Sequence, residues 1–200
     1  ALCEFDDHHH LVSILDWGVV DLVTAAGSRA KTKSIGIQKA VDFLLRFLVI
    51  KQPEWSKSTI DQVVIEQQLA RASMLKTLQY TLYTFGRLSF PDARTRMCHA
   101  KHKLKADVSF YLGEEHRVFV PTTSTRATKP AATKKLAASR AKARQYRENK
   151  QRCTWMATHI VQFLEGRPGY TACVACFGAS SKKDDLADCL VQALVADAGF

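Results

Sequence analysis

Three features of this 200-residue sequence predict an α/β layer protein with a central mixed sheet flanked by helices. Short apolar runs of strand length alternate with longer segments of helical period, the pattern of helices laid on a sheet. One run, Val63-Val64-Ile65 in "DQVVIEQQ", is continuously apolar, as suits a strand covered on both faces. Hydrophobic residues make up 46% of the chain while Gly and Pro number only 9 and 5, so a core is available and fibrous or disordered classes are excluded. The length suits one domain over residues 1–200.

The elements follow in order. "ALCEFD" and "LVSILDWGVVDLV" alternate apolar and polar residues and read as two strands around a turn at "DHHH". "TAAGSRAKTKS" is a basic loop. "IGIQKAVDFLLRFLVIKQ" is helical, with Ile37, Ala40, Val41, Leu44, Leu45 and Leu48 on one stripe, and "PEWSKSTI" breaks it. "DQVVIEQQ" is the buried strand. "ARASMLKTLQYTLYTFGRL" is the next helix, with Leu75, Leu78, Leu82 and Phe85 in register. A basic, irregular stretch "PDARTRMCHAKHKLKADV" follows, then a strand "HRVFVP" closed by Pro121. A helix is expected from about Leu136 through Trp155, Ile160 and Phe163. "GRPGY" is a turn, and the last helix starts near Ser181.

Charge is unevenly placed. The net charge is +10, and residues 126–152, "RATKPAATKKLAASRAKARQYRENKQR", hold ten Lys or Arg against the single acid Glu148. Such a stripe is the footprint of a polyanion binder, most often nucleic acid, with Arg140, Lys142, Arg144, Arg147 and Lys150 as the backbone contacts. The bland alternative is a solvated helix face. No apolar run is long enough to span a membrane: "AVDFLLRFLVI" carries Asp42 and Arg46 and is too short. The acidic first residues lack the basic start of a signal peptide. Six cysteines fit reduced thiols of an intracellular protein, and a viral factory, a nucleus and a mitochondrion suit the residues equally. "CVAC" has the spacing of half a zinc site, Cys173 and Cys176, with no second pair beside it.

Against this basic background stands "SSKKDDLADCLVQAL". Asp184 is explained by a capping box with Ser181 and by the helix dipole. Asp188 lies beyond the first turn and shares a face with Asp185 on a helix whose other residues are apolar. Two like charges side by side there require a cation or a proton. An all-oxygen set of this kind suits Mg²⁺, with Mn²⁺ substituting. Glu66 ends the buried strand, where open α/β sheets place functional groups. One acid at a strand end and two on a helix are the parts of a metal site for in-line phosphodiester displacement.

"VVIEQQ", "RASMLKTLQYTLYTF", "QYRENKQR" and "KKDDLADCLVQAL", in that order over most of the chain, resemble the RuvC-like Holliday junction resolvases, nearest the branch of poxvirus, large-DNA-virus and mitochondrial enzymes. The resemblance implies an RNase H-like fold, Mg²⁺-dependent nicking of four-way DNA junctions, and a homodimer. It matches Glu66, Asp185 and Asp188 to the family's metal-holding acids, with Asp184 beside them, and Lys150 to a basic residue near the scissile phosphate. The helix that begins at Arg71 and carries Lys76 resembles the family's junction-facing, dimer-forming helix. The family opens on a strand with Asp-x-Gly. Here "ALCEFDDHHHLVSILDWGVVDL" resembles its second and third strands, so the first strand is absent from the sequence, or Asp16-Trp17-Gly18 is that motif in another frame. A chain lacking that acid is expected to bind branched DNA without cutting it. That inactive binder, and another RNase H-like nuclease, stand as alternatives to the resolvase.

Overall fold

A computed structural model describes residues 1–8, 11–22, 35–68, 72–105, 134–165 and 170–197. Its elements are β1 (Leu2–Phe5), β2 (Leu11–Asp16), α1 (Ile37–Trp55), β3 (Gln62–Glu66), α2 (Ser73–Ser89), β4 (Arg94–Cys98), a 3₁₀ turn (Ala100–Lys105), α3 (Lys134–Leu164), α4 (Thr171–Ala179) and α5 (Lys183–Asp197). The chain divides into two compact units: Ala1–Gly18 with Lys101–Phe200, and Val19–Ala100. It is a mixed α/β protein. The four described strands pair two and two, β1 with β2 antiparallel and β3 with β4 parallel, where one mixed sheet was expected. The strand expected at residues 116–121 lies outside the described residues, as does the start of the basic segment, 126–133.

The first unit is built around three helices. α3 contributes Cys153, Met156, Ala157, Ile160 and Leu164 to the core, a helical stripe along its second half. α5 answers with Leu186, Ala187, Leu190, Val191, Leu194 and Val195, all buried. Leu11 and Ile14 of β2 and Phe177 of α4 complete the cluster. β2 ends at Asp16, well short of the strand expected to continue through Val23. The cause is Trp17. Its indole stacks on Phe177 with ring centroids 5.1 Å apart, and its Nε1 donates to the Leu186 carbonyl at 3.0 Å. A side chain anchored into helices on that side takes the backbone out of the ladder.

The second unit pairs β3 with β4 in register from Gln62↔Arg94 to Glu66↔Cys98. β4 was expected to be irregular; its arginines, Arg94 and Arg96, hide the strand pattern of Thr95, Met97 and Cys98. α2 lies on this pair at close range. A Cβ on Gly86 would stand 3.0 Å from Val63 Cγ1 and 3.3 Å from Thr95 Cγ2, so the helix approaches as near as it does because that residue has no side chain. Gln79, also buried, accepts the Gln68 amide at 2.6 Å and donates to Met97 Sδ at 2.7 Å. The packed face of α2 therefore centres on Gln79 and Gly86, and Leu75, expected in the core stripe, is 49% exposed. α1 buries Ala40, Leu44 and Leu48 and runs through Pro53 to Trp55, three residues past its expected end. Among the described residues no helix is long and apolar enough to cross a membrane.

Candidate functional site

The residues that carry chemistry gather where α3 meets the head of α5. Lys150 lies three residues before Cys153 and seven before Ala157, so it extends the buried stripe of α3 to the rim of the core. From there its Nζ reaches three separate carboxylates: Asp188 at 3.0 Å, Asp184 at 3.2 Å and Asp185 at 3.4 Å. Asp188 also meets Lys103 Nζ at 3.3 Å. Lys103 comes from the 3₁₀ turn and is only 6% exposed.

The like charges that seemed to demand a metal are thus compensated by two ammonium groups. Burial works against the charge on Lys150. Hydrogen bonds to Asp188 and Asp184 outweigh it and hold the pKa above the ordinary lysine value. Asp184 is held below the usual carboxylate value, first by the hydrogen bond from Lys150. Burial, and after it the neighbouring Asp188, push the Cys153 thiol up to about 12, so it stays protonated and hydrogen-bonds to that carboxylate.

The helix start departs in one detail from the capping box. The hydroxyl that accepts an amide is that of Ser180, from Lys182 N at 3.0 Å, where Ser181 was expected to serve. Asp184 and Asp185 do occupy the first turn of α5, and Asp188 follows on the same side.

Three carboxylates converge on one point already occupied by a positive charge. The donors are all oxygen, but among the described residues no group of three or more His, Cys, Asp or Glu that could hold a metal ion is found. A cation brought to these carboxylates would have to displace Lys150. One turn beyond Asp188, Gln192 is 5% exposed, and neither Oε1 nor Nε2 has a partner among the described residues.

The other expected residues fall on other segments of the chain. Glu66 ends β3, as expected, half-buried in the second unit, where the ladder continues through Gln67 N to the Cys98 carbonyl at 2.9 Å. Lys76 is in the first turn of α2 in the same unit. Arg71 lies outside the described residues. Arg140, Lys142, Arg144 and Arg147 are all exposed on the first half of α3, with Arg144 paired to Glu148 at 2.7 Å.

Lys103, Cys153 and Gln192 were not anticipated. Lys103 is one of several lysines in "CHAKHKLK", and nothing in that run marks the one that turns inward. Gln192 could have been noticed, since it is the lone amide among apolar residues on the buried face of α5. The half zinc site has a different use: Cys173 Sγ donates to the Ile14 carbonyl at 3.0 Å and Cys176 Sγ to the Trp17 carbonyl at 3.2 Å, tying α4 to the end of β2. All six cysteines are free thiols. Compared with family models, curated proteins and solved structures, the chain matches none.

Proposed function

We propose that the chain is a structure-selective DNA endonuclease of RNase H-like fold that nicks four-way junctions by metal-dependent phosphodiester hydrolysis, acting as a homodimer. The observation that carries this reading is the convergence of Asp184, Asp185 and Asp188 on one cation, Lys150, midway along a helix whose first half bears Arg140, Lys142, Arg144 and Arg147. Acids for a metal and bases for a polyanion stand on adjoining segments of one unit. A divalent cation held there would supply Lewis-acid polarisation for the hydrolysis of the phosphodiester. The chain does the rest. α3 binds the phosphodiester backbone without regard to sequence, and Lys103 fixes the rotamer of Asp188. Glu66, which the resemblance assigns to the same metal, belongs to the second unit.

The test is nicking of a synthetic four-way junction with Mg²⁺ against EDTA, with linear duplex as control. Metal-dependent paired nicks in the junction alone are expected. The second reading, a branched-DNA binder without activity, is favoured by the same two lysines, Lys103 and Lys150, which already pair with the three acids. It predicts junction binding that is indifferent to EDTA, and no nicks.

A further inference from the structure

α4 is fastened to the end of β2 at two points, and both fasteners are thiols. Cys173 Sγ donates to the Ile14 carbonyl at 3.0 Å, and Cys176 Sγ to the Trp17 carbonyl at 3.2 Å. The donors stand three residues apart on the helix and the acceptors three apart along the chain, so the two bonds act as one staple. The thiols differ in access: Cys173 is buried and Cys176 is exposed. We propose that Cys173 and Cys176 form a redox-sensitive latch, which as thiols holds the end of β2 against α4 and as an intrahelical disulfide lets it go. The latch is independent of the nuclease reading.

Helix geometry allows the pair to close. Residues three apart on an α-helix have Cα atoms about 5 Å apart, inside the roughly 4.4–6.8 Å usual for protein disulfides. Closure costs both hydrogen bonds. A disulfide sulfur carries no proton to donate, and each sulfur must turn from its carbonyl toward the other. The buried Ile14 carbonyl then loses its thiol donor, which penalises the fastened arrangement. Access sets the order of steps. A low-molecular-weight disulfide, of which oxidised glutathione is the type, meets Cys176 first. The Cys176 thiolate attacks one sulfur, forms a mixed disulfide and expels one thiol. Cys173, whose thiol is pushed up by burial, reacts second and displaces the other thiol from Cys176. The cysteine pair loses two electrons to the glutathione disulfide, and its two protons pass to the two thiols released. Burial pushes the Cys3 and Cys153 thiols up to about 12, which keeps them out of this exchange. What the latch holds is Trp17. Its indole stacks on Phe177, the residue after Cys176, and donates to the Leu186 carbonyl of α5. Freeing the end of β2 loosens that anchor, so the redox state of α4 reaches the core of the first unit.

The test equilibrates the full chain in glutathione buffers of rising oxidised fraction. Mass spectrometry maps the disulfides, and hydrogen exchange of residues 14–18 is followed against that of residues 156–164 in α3. A Cys173–Cys176 disulfide is expected, with exchange of residues 14–18 at least tenfold faster in the oxidised protein and restored by dithiothreitol. The double variant Cys173→Ser, Cys176→Ser keeps two hydroxyl donors and has no pair to oxidise, so its exchange should not respond to the buffer. A disulfide without faster exchange would overturn the latch. So would a lasting glutathione adduct on Cys176, a pairing with Cys3 or Cys189 instead, no disulfide at any ratio, or an equal response in the serine variant. Should the serine variant fail to fold, mapping and exchange of the wild type decide alone.

Discussion

At the scale of single residues, Lys150 and Asp184 define a pH window. The pKa of Asp184 is lowered in the folded chain, so its contribution to stability is present above the ordinary aspartate value, about 3.9, and is lost as pH falls through the folded value. The pKa of Lys150 is raised, so its contribution is present below the ordinary lysine value, about 10.4, and is lost as pH rises through the folded value. Lys150→Met should therefore lower the urea midpoint at pH 7, and the gap to wild type should narrow below about pH 4 as Asp184 takes up its proton. The acids themselves should separate. Asp188→Asn removes one carboxylate from the enclosed Lys103 and should cost about 2 kcal/mol, less than the 3–5 kcal/mol typical of breaking a fully buried pair. Asp185→Asn loses one 3.4 Å contact at an exposed position and should change stability by less than about 0.5 kcal/mol. Thermal unfolding of the two variants checks the difference. Loss of nicking in a fully stable Asp185→Asn then speaks for the chemistry rather than the fold. These acids were legible in the sequence because carboxylates on an apolar helix are anomalous. The lysine from the 3₁₀ turn was not, since a partner fixed by tertiary contact leaves no mark of its own.

At the scale of elements, strength of pattern decided what could be read. β3 and its terminal Glu66, α3 and α5 all follow from apolar runs or stripes. β4 escaped because its arginines interrupt the apolar signal, and α4 because "TACVACFGA" is too short and too uniformly small to show a period. Its contribution lies in two thiol hydrogen bonds to the end of β2. α2 was read as a helix with its packed face turned aside, because Gly86 and Gln79, the residues that meet the sheet, are not apolar side chains. Gly86→Val should accordingly destabilise by about 2 kcal/mol through overpacking against Val63 and Thr95, readable in a denaturant titration. α3 spans about 46 Å at the usual rise per residue, and its described side chains from Ser139 to Arg147 are all exposed. Neutralising Arg140, Lys142, Arg144 and Arg147 together should weaken junction and duplex binding alike. It should flatten the logarithmic salt dependence by about 3–4, provided each residue meets one phosphate. An unchanged slope in a filter-binding series would make this half of α3 a solvated face.

At the scale of the whole molecule, the reading turns on assembly. A four-way junction offers two symmetry-related strands, and a two-fold dimer sets one acidic site against each. Large apolar side chains remain open on the helices of the second unit: Val49 and Ile50 on α1, Leu75 and Leu88 on α2. They supply the apolar surface that a second copy could cover. Light scattering of the protein alone and on a junction should return a two-chain mass in both cases. A one-chain mass in both would remove the paired-nick mechanism.

The second unit is inserted within the first: its 19–100 segment separates β1 and β2 from every helix they pack on. During synthesis the first hairpin leaves the ribosome carrying Leu11, Ile14 and Trp17, all of which end in a core completed by residues as late as Val195. At about 5–20 residues per second that wait lasts roughly 10–40 s. Nascent chains stalled before α5 should thus keep a sticky, unfinished β1–β2 hairpin for as long as they are held, and should be the species that chaperones capture.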